Sequence, residues 1–167
     1  FEPVALDDNV NIAEDEVKTI SLFGYDAFDD WVLDGSSTIS IIAYPTHGLI
    51  TTPELSDDSD VDLAEWIASY TPDQDYSGSD EIRFIVENSG NDNGASEEAV
   101  ITISISAIND APILTAIGDQ DFNEDEGLSI PLGYSDADGD DLSVSVTSSD
   151  DNVSLSLEGS TLSLESV

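Results

Sequence analysis

Cysteine and methionine are absent, and basic side chains nearly so. Lys18 and Arg83 stand against 38 aspartates and glutamates, with one histidine, for a formal charge of -36 over 167 residues. Without cysteine there is no disulfide framework, no thiolate metal site and no cysteine nucleophile. So few cations exclude nucleic acid as a partner, because phosphate counterions cannot be displaced. An anionic membrane surface is excluded by the same deficit. No apolar run approaches the roughly 20 residues of a membrane helix, and no signal-peptide pattern opens the chain. The lone His47 has no second imidazole with which to build a metal site, and a structural or exposed role is expected for it.

What is abundant is carboxylate, and its self-repulsion opposes a compact state. Disorder, high salt or bound cations could account for the excess. Disordered chains are poor in β-branched and aromatic residues. This one has dense Ile, Val and Thr, two tryptophans and five tyrosines, with 39% apolar residues distributed throughout. It is therefore expected to fold, with salt or divalent cations offsetting the charge. A halophilic origin would scatter acids over the surface, whereas here they cluster at particular places.

The apolar pattern has a period of two. Ile101, Ile103 and Ile105 alternate with Thr102, Ser104 and Ser106, and Ile82, Phe84 and Val86 with Arg83, Ile85 and Glu87. Leu142, Val144 and Val146, and then Val153, Leu155 and Leu157, repeat it. Segments of this kind bury one face and wet the other, as in an antiparallel sandwich. Turn signals separate them at Pro45–Gly48, Tyr76–Gly78, Asn88–Gly90, Asp138–Gly139 and Glu158–Gly159. Only residues 60–67 suit a helical turn, and the chain is expected to be all-β.

An internal repeat divides it. Pro3-Val4-Ala5, Glu14-Asp15-Glu16, Ile20, Leu22 and Gly24-Tyr25 recur as Pro112-Ile113-Leu114, Glu124-Asp125-Glu126, Ile130, Leu132 and Gly133-Tyr134, displaced by 109 to 110 residues. That length suits one β-sandwich per repeat. The expected organisation is a complete domain over 1–109 and the N-terminal half of a second copy over 110–167, as in a fragment of a longer array.

The acids have a geometry of their own. Asp136, Asp138 and Asp140 alternate around Gly139, a spacing that can turn several oxygens toward one hard cation such as calcium, which takes six to eight. An EF-hand loop is excluded, because position 6 counted from Asp136 is Asp141 and position 12 is Thr147. A solvated acidic turn is the plainer alternative. Asn109 and Asp110 offer oxygens where Pro112 stiffens the chain; there the plainer alternative is an Asx turn. The Glu14-Asp15-Glu16 triplet is self-repelling without a cation, although exposed charge runs are common. Nothing singles out a glycosidase-type carboxylate pair. Trp31 and Trp66 suit packing better than sugar stacking.

Asn109-Asp110-Ala111-Pro112, the Glu-Asp pair before a strand, Asp136-Ala137-Asp138-Gly139-Asp140, Pro45-Thr46-His47-Gly48, Tyr70-Thr71-Pro72 and Tyr76-Ser77-Gly78-Ser79-Asp80 resemble the cadherin-like tandem repeats of giant bacterial surface and type I-secreted adhesins. The resemblance implies Ig-like or cadherin-like sandwiches joined end to end, with Ca2+ at the junctions. Its ligand set would be Glu14, Asn109, Asp110, Asp136 and Asp138, with Asp140 and Asp75 as further candidates. The first copy departs from the pattern at Asp26–Asp30, which lacks the glycine, and at Asn88.

The expected function is that of a non-enzymatic, extracellular, calcium-rigidified spacer or adhesive module of a large bacterial protein. Its partners would be calcium ions and neighbouring repeats of the same polypeptide, and then cell-surface or polysaccharide ligands or other copies. A polysaccharide-binding accessory module, and an assembly subunit whose second domain another chain completes, are the alternatives.

Overall fold

In the computed structural model, residues 3–26, 37–57, 63–88 and 94–167 are described. They form two compact units, Phe1–Ile108 and Asn109–Val167. Every regular element among the described residues is a β-strand.

In the first unit the strands are β1 (Pro3–Ala5), β2 (Asp8–Ala13), β3 (Lys18–Asp26), β4 (Ser37–Ala43), β5 (Gly48–Ile50), β6 (Glu54–Leu55), β7 (Ala64–Pro72), β8 (Gly78–Asn88), β9 (Gly94–Ala95) and β10 (Ala99–Ser106). One sheet runs β1-β3-β7-β5 with β6 also on β7; the other runs β2-β10-β8-β4 with β9 on β8. The period-two reading holds where it was sharpest. Ile82, Phe84 and Val86 of β8 and Ile101 and Ile103 of β10 are fully buried, and Ile105 nearly so. They form one core with Ile12, Ile20, Leu22, Trp66, Ala68 and Tyr70. Burying such side chains is worth about 1.5–3 kcal/mol each, and this interior is what fixes the unit.

One expectation needs correction. Residues 64–67 are strand, not helix: Trp66, Ala68 and Tyr70 point inward by turns along β7, so the period of two continues through the segment. Just upstream, Glu54 and Leu55 form β6, which pairs Glu54 with Ile67 and Leu55 with Trp66. The all-β sandwich is as expected, and among the described residues its pairings are antiparallel but for one. β2 pairs with β10 in parallel, from Asp8 opposite Ile101 to Ala13 opposite Ser106. Parallel neighbours cannot be joined by a hairpin; the chain passes from one sheet to the other between β1 and β2, and so the second strand comes to lie beside the last strand of the unit.

The second unit contains β11 (Ile113–Leu114), β12 (Gly127–Pro131), β13 (Tyr134–Ser135), β14 (Val153–Glu158) and β15 (Thr161–Ser166), arranged as β11-β13 and β12-β15-β14. Leu128 and Leu155 face Leu164, and Ile130 and Leu157 face Leu162, so the aliphatic side chains share one face of the three-stranded sheet. They are only half-buried, and Leu132 is the buried hydrophobic residue of this unit. Leu142, Val144 and Val146 show the alternation expected of them, half-buried between exposed serines, yet they form no ladder. A strand needs a neighbour for its backbone groups as well as an apolar face.

Candidate metal centre

The acids singled out by the sequence sit on turns, and the turns recur. Among the described residues, Asp15, Asp75 and Asp125 are the non-glycine residues with positive φ, at 59°, 56° and 66°. Each lies shortly before a strand, β3, β8 or β12 respectively. Tyr76 N donates to Asp73 O, and Glu126 N to Asn123 O, both at 3.2 Å. These are four-residue turns with aspartate where glycine or asparagine is the usual occupant. The equivalence of Asp15 and Asp125 extends the sequence repeat to backbone conformation.

In the first unit, Glu14 follows the last residue of β2 and is buried, with 4% of its surface exposed. Its N–H donates to Ser106 O at 3.0 Å, continuing the β2–β10 pairing. Its Oε1 accepts Ile108 N at 2.5 Å. Arg83, which could neutralise an acid, is committed to Glu81 at 2.8 Å and to Glu98. No ion pair to Glu14 occurs among the described residues. Asp75 is exposed, and its N–H donates to Asp15 Oδ1 at 3.2 Å.

In the second unit, Asp110 N donates to Asp138 Oδ2 at 2.7 Å, which ties the segment before β11 to the acidic turn. Asp136 Oδ1 accepts Asp138 N at 3.0 Å and Asp140 N at 3.3 Å. Gly139 stands at φ 75°, where a side chain would be strained. Asp110 and Asp136 are half-buried, while Asp138, Asp140 and Asn109 are exposed. Asn109 Nδ2 bonds Asp110 O at 2.8 Å. The turn thus gathers Asp110, Asp136 and Asp138 through backbone donors, with Asp140 attached through its N–H alone. A hard cation takes oxygen ligands, and these side chains could supply them. The Asp26–Asp30 departure and Trp31 lie at or beyond the edge of the described residues.

One acid escaped the sequence reading. Asp80, on β8, is 5% exposed. Its Oδ1 accepts Thr46 N and Glu81 N, and its Oδ2 accepts His47 N and the Tyr70 hydroxyl, each at 2.9 Å. Burial pushes its pKa up, but these four donors outweigh it and hold the carboxyl below its ordinary value. The Tyr70 hydroxyl also reaches His47 O at 3.1 Å. The Pro45–Gly48, Tyr70–Pro72 and Tyr76–Asp80 motifs therefore converge on a single carboxylate. His47 is exposed, with its ring stacked on Tyr76 at 4.0 Å, and Trp66 lies in the core. The signal for Asp80 was its register: it shares the inward parity of Ile82, Phe84 and Val86, as Glu14 shares that of Val10 and Ile12.

Residues 1–104 match the family model described as "Bacterial Ig domain". The chain belongs to the bacterial Ig domain family. Bacterial Ig domains are non-catalytic modules that commonly occur in extracellular or surface proteins. No curated protein sequence matches the chain. Among solved structures, this bacterial Ig chain is similar to the endo-fucoidan hydrolase MfFcnA4 from glycoside hydrolase family 107. The identity is 18% over 99% of this chain and 24% of that one, with a TM-score of 0.46. It is also similar to PbICP-C in complex with falcipain-2, at 10% identity over 62% of this chain and 91% of that one, with a TM-score of 0.39. The chain spans about a quarter of the length of the fucoidan hydrolase.

Proposed function

We propose that this bacterial Ig chain is a calcium-binding repeat module of a large surface or secreted protein, acting as a stiffened spacer or adhesive segment. The observation that carries the reading is Glu14. A carboxylate removed from water without a paired cation is costly, and Glu14 is buried with a single backbone donor on Oε1. A bound divalent cation would remove that cost. The acidic turn of the second unit supports the same reading, since its aspartates are held by backbone donors in a chain of charge -36.

The mechanism is electrostatic. Without cation, the clustered carboxylates repel and the turns that carry them flex. With calcium held in the first unit by Glu14 and Asp75, and in the second by Asn109, Asp110, Asp136, Asp138 and Asp140, the repulsion is replaced by coordination and the module stiffens. Nothing in the reading calls for catalysis, and it puts the module outside the cell.

Calorimetric titration of the 167-residue chain with calcium tests this. Binding should be weakened by Glu14→Gln and by Asp138→Asn and left intact by Asp57→Asn, a change in an exposed turn. Absence of calcium binding, together with a melting temperature that a chelator leaves unchanged, would sink the proposal.

A further inference from the structure

We propose that Asp138–Gly139 is a site of spontaneous backbone rearrangement, at which Asp138 converts to isoaspartate. It is the one Asp–Gly peptide within the described residues. The amide nitrogen of Gly139 attacks Cγ of the Asp138 carboxyl group. As the N–Cγ bond forms, the Cγ–OH bond breaks, and the hydroxyl leaves as water with the amide proton, closing a five-membered succinimide. Water then adds to the main-chain carbonyl carbon of Asp138 and the original C–N bond opens. The chain now runs through Cγ, one methylene longer, with a carboxylate left on Cα. Composition is unchanged and no oxidant or reductant takes part.

Three features select this peptide. Gly139 has no side chain to shield its nitrogen, and a Cβ placed there would find no atom within 4 Å, so the peptide has room to turn. Its N–H is weakly engaged, 3.4 Å from Asp136 O. Asp138 is exposed, so water reaches the succinimide. Other aspartates are worse placed. Asp75 precedes Tyr76, whose bulk crowds the nucleophile and whose N–H is bonded to Asp73 O at 3.2 Å. Asp150 precedes Asp151, and its Oδ1 is held by Asn152 through both the backbone and the side-chain amide. Asp136 Oδ1 is held by two amides of its own turn. The restraint on Asp138 is the bond from Asp110 N to Oδ2, which leaves the other carboxyl oxygen outside that contact.

The consequence rests on the calcium reading above. Isoaspartate moves the carboxylate off the position that Asp110 N meets, so the turn loses a ligand for good. A cation held by Asp138 would keep the carboxyl from Gly139, so the rearrangement should be slowed in proportion to occupancy. The turn would then record, irreversibly, time spent without calcium.

The test is incubation of the 167-residue chain at 37 °C (about physiological) with a chelator and, separately, with excess calcium. Digestion after glutamate, chromatographic separation and electron-based fragmentation locate the isoaspartate. In chelator it should accumulate at position 138 severalfold faster than at Asp136 or Asp140, and Asp138→Glu should abolish it there with the circular dichroism unchanged. Isoaspartate at 138 no faster than at those neighbours in chelator overturns the proposal. Accumulation at 138 at equal rates with and without calcium upholds the rearrangement and removes Asp138 from the calcium site.

Discussion

The Tyr70 hydroxyl donates a 2.9 Å hydrogen bond to Asp80 Oδ2 inside the first unit, joining β7 of one sheet to β8 of the other. Tyr70 is fully buried and Asp80 nearly so. Asp80 also holds the Thr46 and His47 amides, so one carboxylate fixes the turn that leads into β5. Hydrogen bonds to a charged, buried acceptor contribute more than neutral ones, about 1.5–3 kcal/mol each.

Replacing that acid should therefore show in the pH dependence of stability. The folded-state pKa of Asp80 lies below its ordinary value, because its donors outweigh burial. Its contribution is complete above the ordinary carboxylate value of about 4 and is lost as pH falls from there through the folded value. Asp80→Asn should lower the melting temperature at neutral pH and flatten this acid limb. Melting curves from about pH 6 down to about pH 2 for both proteins decide it; parallel limbs would count against Asp80.

Tyr70 has the opposite sign. Burial first, and then the bond to Asp80, raise its pKa above the ordinary 10.0. Its neutral form stabilises the fold fully below that value, and the contribution fades as pH rises from it toward the folded value. Tyr70→Phe should cost about 1–2 kcal/mol in urea unfolding at neutral pH. It should also let Asp80 titrate closer to its ordinary range, which carboxylate NMR shifts would report.

Gly48 should resist substitution although its φ is not positive. A Cβ there would stand 2.6 Å from Thr71 O and 2.6 Å from the Tyr70 hydroxyl. Gly48→Ala must push β5 away from β7 and disturb the Asp80 network. A loss of about 1–3 kcal/mol is expected, as for overpacked cores. Wild-type stability in Gly48→Ala would mean that the contact is looser than its geometry.

The repeated aspartate turns make a paired prediction. A left-handed residue with a bulky side chain costs about 1–2 kcal/mol, and asparagine or glycine little. Asp125→Val should destabilise the second unit by that amount, whereas Asp125→Asn should leave it level or raise it. Unfolding followed by amide exchange at Leu162 and Leu164 of β15 reads the unit concerned.

Much of the first unit was legible because its strands alternate cleanly and its repeat partner confirms their spacing. Ile82, Phe84 and Val86 could be placed inward by parity alone, and the same parity exposes Asp80 and Glu14 as acids in core register. The motif residues around His47 were visible as turn formers, but their meeting at Asp80 required sheet pairing over more than 30 residues of chain. Residues 64–67 misled because Ala64, Glu65, Trp66 and Ile67 have no turn formers among them, and a short window fits either period. Parallel pairing of β2 with β10 left no local mark, since it is decided by the other strand. In the acidic turn the spacing of Asp136, Asp138 and Asp140 was legible, whereas the bond from Asp110 to Asp138 was not.

That parallel pair has a mechanical side. Tension applied before Asp8 and after Ser106 draws β2 and β10 along each other, so the load falls on the ladder from Asp8–Ile101 to Ala13–Ser106 in shear. A hairpin such as β14–β15, gripped at Val153 and Ser166, peels open from one end instead. The first unit is thus fastened across the line of pull by its second and its last strand, and single-molecule stretching should find the higher rupture force there.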